Sequence, residues 1–261
     1  MKVKKRELLG KDVYFMEVLD DLLVVNDNYQ GILIFNSELR QINQIKLIED
    51  MNIYTSFKKD KELLLFCPDN DCLIYVDLYS NKKIVIPLVA FDEWIFSPIY
   101  EWNKKKVILS DYWGNFLKVD LDIGALVKAK ACDEGYQEIC ENYNKLNRFK
   151  VFKTYILKKE AFVETPGSKI GIVNYKQDLK VLNIIEKEQY HDFELANDYI
   201  AKIGERKVEC IFKSKQEIYY PSEHYSFLRG KFMFKDEKVY LFLLSGNKAD
   251  SSHTKIEKYK F

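Results

Sequence analysis

Four short apolar runs each close on an acid or an amide and then break into a polar turn: GILIFN at Asn36, CLIYVD at Asp77, NFLKVD at Asp120 and KIGIVN at Asn174. They recur at intervals of 41, 43 and 54 residues, and weaker copies follow in VECIFK, ending at Lys213, and VYLFLL, ending at Leu244. A period of about 40–45 residues with several strand-length runs in each unit narrows the architecture sharply. One such unit cannot bury its own apolar face, so neighbouring units must stack.

Each unit divides further. The first reads VYFMEVL, LLVV, GILIF and INQIKL, separated by Asp20-Asp21, by Asn26–Gln30 and by SELRQ. The second reads NIYTSF, ELLLF, CLIYV and KIVIPL, and the third FSPIYEW, VILS, NFLKV and ALVKA. Runs of this length suit strands and are too short for typical helices. Eighteen Tyr and seventeen Phe, with many β-branched residues, fit a pleated, half-buried surface. The intervening Asn, Asp, Gly, Pro and Ser supply turn geometry.

These patterns predict an all-β chain, a six-bladed β-propeller with four-stranded antiparallel blades forming a single domain over residues 1–261. The approximate blades are 12–47, 52–89, 95–130, 149–185, 191–221 and 223–261, and counts of five or seven stay open. Residues 131–148 stretch the third interval. Ile139, Tyr143 and Leu146 recur there at helical spacing, as a short helix or an ordered insertion serving either as a binding element or as a packed spacer. Val3–Leu9 is either a frayed end or an outer strand added to the last blade beside Lys255–Phe261, which would protect exposed edges.

Charge narrows the function classes. Lys and Arg total 41 against 40 Asp and Glu, and only five of the basic residues are Arg. Phosphate contacts dominate nucleic-acid affinity, so this balance argues against a nucleic-acid partner. The N-terminal MKVKKRELLGKDVYF lacks the apolar stretch of a signal peptide, and no run of about 18 apolar residues occurs. A cytoplasmic chain with no membrane partner is expected. The five cysteines, Cys67, Cys72, Cys132, Cys140 and Cys210, are accordingly expected as thiols, with Cys67 and Cys72 flanking one tight loop.

In four-stranded blades the loop between the second and third strands shares a face with the connections between blades. In the first three units those loops are Asn26–Gln30, Pro68–Asp71 and Asp111–Gly114. They carry the aromatics Tyr29, Tyr112 and Trp113, and a neighbouring connection adds Asp92, Glu93 and Trp94. In the last three units the matching segments read TPGSK, GERK and KDEK, with Lys169, Arg206, Lys207, Lys235 and Lys238. Aromatics on loops held by a rigid scaffold suit a protein or peptide partner, and Tyr29, Trp94, Tyr112 and Trp113 are the candidate binding residues. The same aromatics suit a carbohydrate. Turn chemistry alone also accounts for the Asp and Asn.

Catalytic patterns are sparse. His191, His224 and His253 are the only histidines, and HExxH, C-x2-C, GxGxxG, GxxxxGK[ST] and GxSxG are all absent. No cofactor is expected. A hard cation such as Ca²⁺ is the exception, since Asp27, Asp69, Asp71 and Asp111 offer the oxygen ligands it takes.

The strand-turn periodicity over residues 12–261 resembles β-propeller repeat proteins in general, without a WD dipeptide, a kelch double glycine or an NHL-type signature. That resemblance implies either a binding scaffold or a metal-dependent lactonase of the gluconolactonase type. The leading expectation is a non-enzymatic scaffold for a protein or peptide partner. The alternative is a metal-dependent hydrolase or lactonase acting on a small polar or sugar-like substrate, with Glu93 or His191 as acid or base.

Overall fold

The computed structural model describes residues 2–88, 95–165, 169–176, 179–186, 190–196, 198–212 and 215–261. Its strands form six four-stranded antiparallel sheets. Strand β1 (Lys2–Leu9) comes first. Blade one is β2 (Met16–Leu19), β3 (Leu22–Asp27), β4 (Gly31–Asn36) and β5 (Gln41–Lys46). Blade two is β6 (Thr55–Lys59), β7 (Glu62–Cys67), β8 (Cys72–Asp77) and β9 (Lys82–Pro87). Blade three is β10 (Phe96–Asn103), β11 (Lys106–Asp111), β12 (Phe116–Asp120) and β13 (Ala125–Lys128), followed by helix α1 (Tyr136–Leu146). Blade four is β14 (Lys150–Tyr155), β15 (Glu160–Thr165), β16 (Lys169–Asn174) and β17 (Lys180–Glu186). Blade five is β18 (Asp192–Ala196), β19 (Tyr199–Ile203), β20 (Val208–Phe212) and β21 (Lys215–Tyr219). Blade six is β22 (Tyr225–Lys235), β23 (Lys238–Asn247) and β24 (His253–Lys260), and β1 completes it.

The acid or amide that marks the repeat has a structural job. It ends the third strand, and its side chain accepts the backbone N–H groups of the turn that follows. Asn36 Oδ1 takes the N–H of Glu38 (2.9 Å) and Arg40 (3.0 Å). Asp77 Oδ1 takes that of Tyr79 (2.9 Å), and its Oδ2 takes the Ser80 hydroxyl (2.8 Å). Asp120 and Asn174 bond Asp122 and Lys176 in the same way. Each side chain thereby replaces a backbone partner that the turn lacks.

Burial follows strand rank. In the first two blades the second and third strands (β3, β4, β7, β8) are buried over five consecutive residues each, which is why they read LLVV, ILIF, LLLF and LIYV without alternation. The fourth strands β5 and β9 bury one residue each, Ile45 and Ile86. Their outer faces therefore tolerate Gln, Asn and Lys.

Blade six corrects the reading of the last copy. VYLFLL lies in β23, the second strand of its blade, because the fourth place is filled by β1. The short final interval is thus one strand out of step. Lys235 and Lys238 consequently bound the β22–β23 turn, not a loop between second and third strands. The outer-strand expectation for Val3–Leu9 holds: β1 pairs antiparallel with β24, from Lys2 opposite Tyr259 to Leu9 opposite His253.

The chain divides into two compact groups. One comprises Met1–Ile53, Asp60–Glu62 and Gln189–Phe261, and so holds blades one, five and six. Among the described residues, its core includes two clusters. Val18, Leu23, Val25, Leu33 and Phe35 pack on Met233, Phe242, Leu244 and Ile256, while Ala201, Ile203 and Cys210 pack on Phe227, Leu241 and Leu243. Among these apolar walls lies a buried charge cluster drawn from three first strands. Lys231 Nζ of β22 is 3.0 Å from Glu17 Oε2 of β2 and 3.5 Å from Glu194 Oε2 of β18. All three residues are at most 8 % exposed in their side chains.

Glu209 of β20 gives this group a pH signature. Burial opposes its ionisation, but hydrogen bonds from Lys202, Lys207 and Tyr190 prevail and hold its pKa down to about 2, from 4.5. A carboxylate depressed in the folded state stabilises fully above its unfolded pKa and loses that contribution as pH falls toward the folded value. Glu209→Gln is therefore expected to lower stability near pH 7 by up to roughly 3 kcal/mol. The gap should shrink between pH 4.5 and 2, as urea midpoints measured across that range would show.

The second group, Tyr54–Lys59 with Leu63–Glu188, holds the bulk of blades two to four. Phe57, Leu64, Leu73 and Tyr75 of blade two pack on Trp102, Val107, Leu117 and Val119 of blade three. Ile99 and Ile108 of blade three meet Val151, Ala161, Val163 and Val173 of blade four, with Ile139 and Leu146 of α1 filling the same cluster.

Candidate protein-interaction surface

The β11–β12 loop is a tightly bonded turn that presents aromatic side chains to solvent. Asp111 closes it from inside. Its Oδ1 accepts the backbone N–H of Trp113 and of Asn115, both at 2.8 Å, and its Oδ2 accepts from Asn115 Nδ2 at 2.6 Å. Asp111 is 2 % exposed. Gly114 completes the turn at φ +85°, a conformation that L side chains rarely adopt.

Helix α1 braces this loop. The Tyr143 hydroxyl donates to the Tyr112 carbonyl (2.9 Å), and its ring lies so close that a Cβ on Gly114 would sit 3.0 Å from it. Phe116, the first residue of β12, meets Tyr136 and Tyr143 edge to face, at centroid separations of 5.6 and 5.7 Å. Such pairs each contribute about 0.5–1.5 kcal/mol beyond the area they bury. Burial, with a smaller effect from Asp111, raises the Tyr143 pKa and so keeps the hydroxyl a donor.

The helix is itself anchored. Asn142 Nδ2 donates to Glu101 Oε1 (2.6 Å), and Lys159 Nζ bridges Glu101 (2.9 Å) and Glu138 (2.6 Å). Burial pushes the Glu101 carboxyl up against the pull of Lys159. Burial also disfavours charge on Lys159, but Glu138 and Glu101 outweigh it and raise its pKa. Ahead of the helix, Asp133 pairs with Lys118 and accepts the Lys130 N–H. The insertion at 131–148 is thus an ordered helix whose Ile139 and Leu146 are core residues, as their spacing predicts.

Against this firm base the side chains of Tyr112 and Trp113 remain 52 and 66 % exposed. Exposed aromatics on a fixed backbone bind with little further loss of conformational freedom, which is the property of interface anchors.

No family model matches the chain, and no curated protein matches it. Solved structures do. A catalytically inactive virginiamycin B lyase from Staphylococcus aureus, with quinupristin, aligns at TM-score 0.62 and 10 % identity over 98 % of this chain and 99 % of that one. YCF48 bound to D1 peptide aligns at 0.59 and 8 %, over 98 % and 94 %. The β-propeller domain of Myceliophteria thermophila Cps50 (Swd1) aligns at 0.55 and 8 %, over 97 % and 98 %. The chain is a six-bladed β-propeller. At these identities the likeness concerns the fold alone.

Trp94, with Asp92 and Glu93, lies outside the described residues. Tyr29, in blade one, is 42 % exposed but stacks on Tyr14 at 5.9 Å and donates its hydroxyl to Asp12 (2.6 Å). Its ring braces its own loop as much as it faces solvent. Asp27 is nearly buried, paired with Lys11 and bonded by Gln44 Nε2. Asp69 accepts from the Tyr54 hydroxyl at 3.1 Å, and Asp71 caps its turn at φ +49°. Among the described residues, no three His, Cys, Asp or Glu side chains are grouped so as to hold one metal ion. Asp111 serves its own loop, which is the turn chemistry that favours Asp there, while Asp27 and Asp69 bond side chains from outside theirs. Among the described residues, no helix is long and apolar enough to cross a membrane.

Sequence reasoning missed the partners of the loop. Tyr136, Tyr143 and Phe116 were visible as aromatics, but nothing in their spacing revealed that the helix folds back under the β11–β12 turn.

Proposed function

We propose that the chain is a non-enzymatic propeller scaffold that binds a protein or peptide partner, with Tyr112 and Trp113 as its anchor. The observation that carries this reading is the pairing of two exposed aromatic side chains with a backbone held by Asp111, Asn115 and Tyr143. The fold supports it as well, since one structural neighbour is described bound to a peptide and another is the propeller domain of Cps50.

The test uses the whole chain as bait. Proteins retained by it are identified, purified and titrated calorimetrically against wild type, Tyr112→Ala, Trp113→Ala and Tyr79→Ala. Tyr79 is 86 % exposed on the β8–β9 turn and serves as an aromatic control elsewhere in the same group of blades. Trp113→Ala is expected to weaken binding by about 30-fold, the scale of an interface hot spot, and Tyr79→Ala to leave it unchanged. Since Trp113 is exposed, its loss should leave the melting temperature within about 2 °C of wild type. Equal affinity of the Trp113→Ala, Tyr112→Ala and wild-type chains for every purified partner would overturn the assignment.

A further inference from the structure

Blade five carries a cavity of about 530 Å³ lined by Tyr190, His191, Glu205, Arg206 and Lys207. That volume is within the range of small-molecule sites. Two chain segments meet there. The connection entering β18 supplies Tyr190 and His191, and the β19–β20 loop supplies the other three. Backbone bonds fix both: the His191 N–H donates to the Ile203 carbonyl (2.8 Å), and the Phe227 N–H donates to that of Glu205 (3.1 Å).

The wall is positively biased. Lys202 and Lys207 lie 4.8 and 5.5 Å from the centre of the Tyr190 ring, and both pair with the single carboxylate of Glu209. Gln216 Nε2 donates to the same carboxylate at 3.2 Å. One carboxylate thus balances two ammonium groups, and these donors hold its pKa down. Arg206 adds a guanidinium that makes no bond to the described residues, and its five N–H groups in a planar fork suit an anionic oxygen pair. The carbonyl of Leu228 can only accept, so at 3.0 Å it takes a proton from His191 Nε2 and holds the ring in place. Glu205 is the one acidic residue among the described residues that line the cavity.

We propose that this cavity is a binding site for a small molecule carrying a phosphate or carboxylate group, with Arg206 and Lys207 taking the anion and Tyr190 and His191 forming the adjoining wall. The shared chemistry is an anionic head group with two or more oxygens.

The experiment is a two-dimensional amide NMR titration of the intact chain with inorganic phosphate and, separately, with succinate. Millimolar concentrations of one or both are expected to shift Tyr190, His191 and Gly204–Lys207 saturably. The Lys104–Lys106 turn, another basic segment, should stay still. Binding by phosphate alone assigns a phosphoryl ligand, and by succinate alone a carboxylate. Arg206→Gln is expected to weaken binding about tenfold. Arg206 is exposed, so its variant should melt with the wild type. A conservative Arg206→Lys should restore part of the affinity, since it keeps the charge and loses the fork. The proposal is overturned if neither probe shifts these amides at 20 mM. It is equally overturned if all basic turns shift alike, or if Arg206→Gln binds as tightly as wild type.

Discussion

Lys231→Ala should lower folding stability by about 3–5 kcal/mol, enough to threaten the folded state at 37 °C. Lys231 stands between Glu17 and Glu194 with all three residues buried, so its removal strips two carboxylates of their shared cation in a poorly solvated place. The loss belongs to the broken set and not to the ion pairs as such. Replacing all three together, as Glu17→Gln, Lys231→Met and Glu194→Gln, should recover most of it, because a neutral set of similar volume leaves no buried charge. Urea denaturation of the single and triple variants measures both outcomes. A single-variant loss below about 1 kcal/mol would mean that water or another cation already serves these carboxylates.

Gly31→Ala is the second large effect, expected at about 2–4 kcal/mol. Gly31 opens β4 opposite Lys46, and a Cβ built there would overlap the backbone carbonyl oxygen of Ile45 on the neighbouring β5. A flexible side chain could swing aside, but a paired backbone cannot move without shifting the β4–β5 ladder. The contrast with Gly230 provides the check. There the nearest obstacle is the buried side chain of Ile203 and not a paired backbone, so Gly230→Ala should cost less. Equal destabilisation of the two variants in chemical denaturation would contradict this account.

The blades were legible because one chemical requirement recurs. In blades one to four an Asn or Asp at the end of the third strand bonds the turn behind it, so Asn36, Asp77, Asp120 and Asn174 stand at nearly regular positions. The pattern failed where that requirement lapses. Blade six takes β1 as its outer strand and needs no third turn, so the periodicity there falls on β23 and puts Lys235 and Lys238 on the wrong loop.

Much of the candidate surface was legible as well. Tyr112 and Trp113 were placed on a loop between second and third strands, and they lie there exposed. What the sequence could not convey was which residues hold that loop, since Tyr143 lies far along the chain from Tyr112. The buried charges also escaped notice. Single charged residues inside apolar first strands, Glu17 in MEVL, Glu194 in FELA and Lys231 before FMF, were the available signal. A lone charge in an apolar run needs a partner from elsewhere, and three blades meet that need jointly.

The pairing of β1 with β24 bears on how the molecule is made. Residues 2 and 259 must meet, so β1 leaves the ribosome well ahead of the strand it pairs with. Until then the rim of β1 is open to other strands, and its Lys4, Lys5, Arg6 and Glu7 supply the charge that discourages such encounters. Completion of the sixth sheet is therefore a late, long-range event, slower than any hairpin within a blade. A nascent chain stalled before β24 would carry an unfinished seam, and this is the point at which a chaperone would have the most to do.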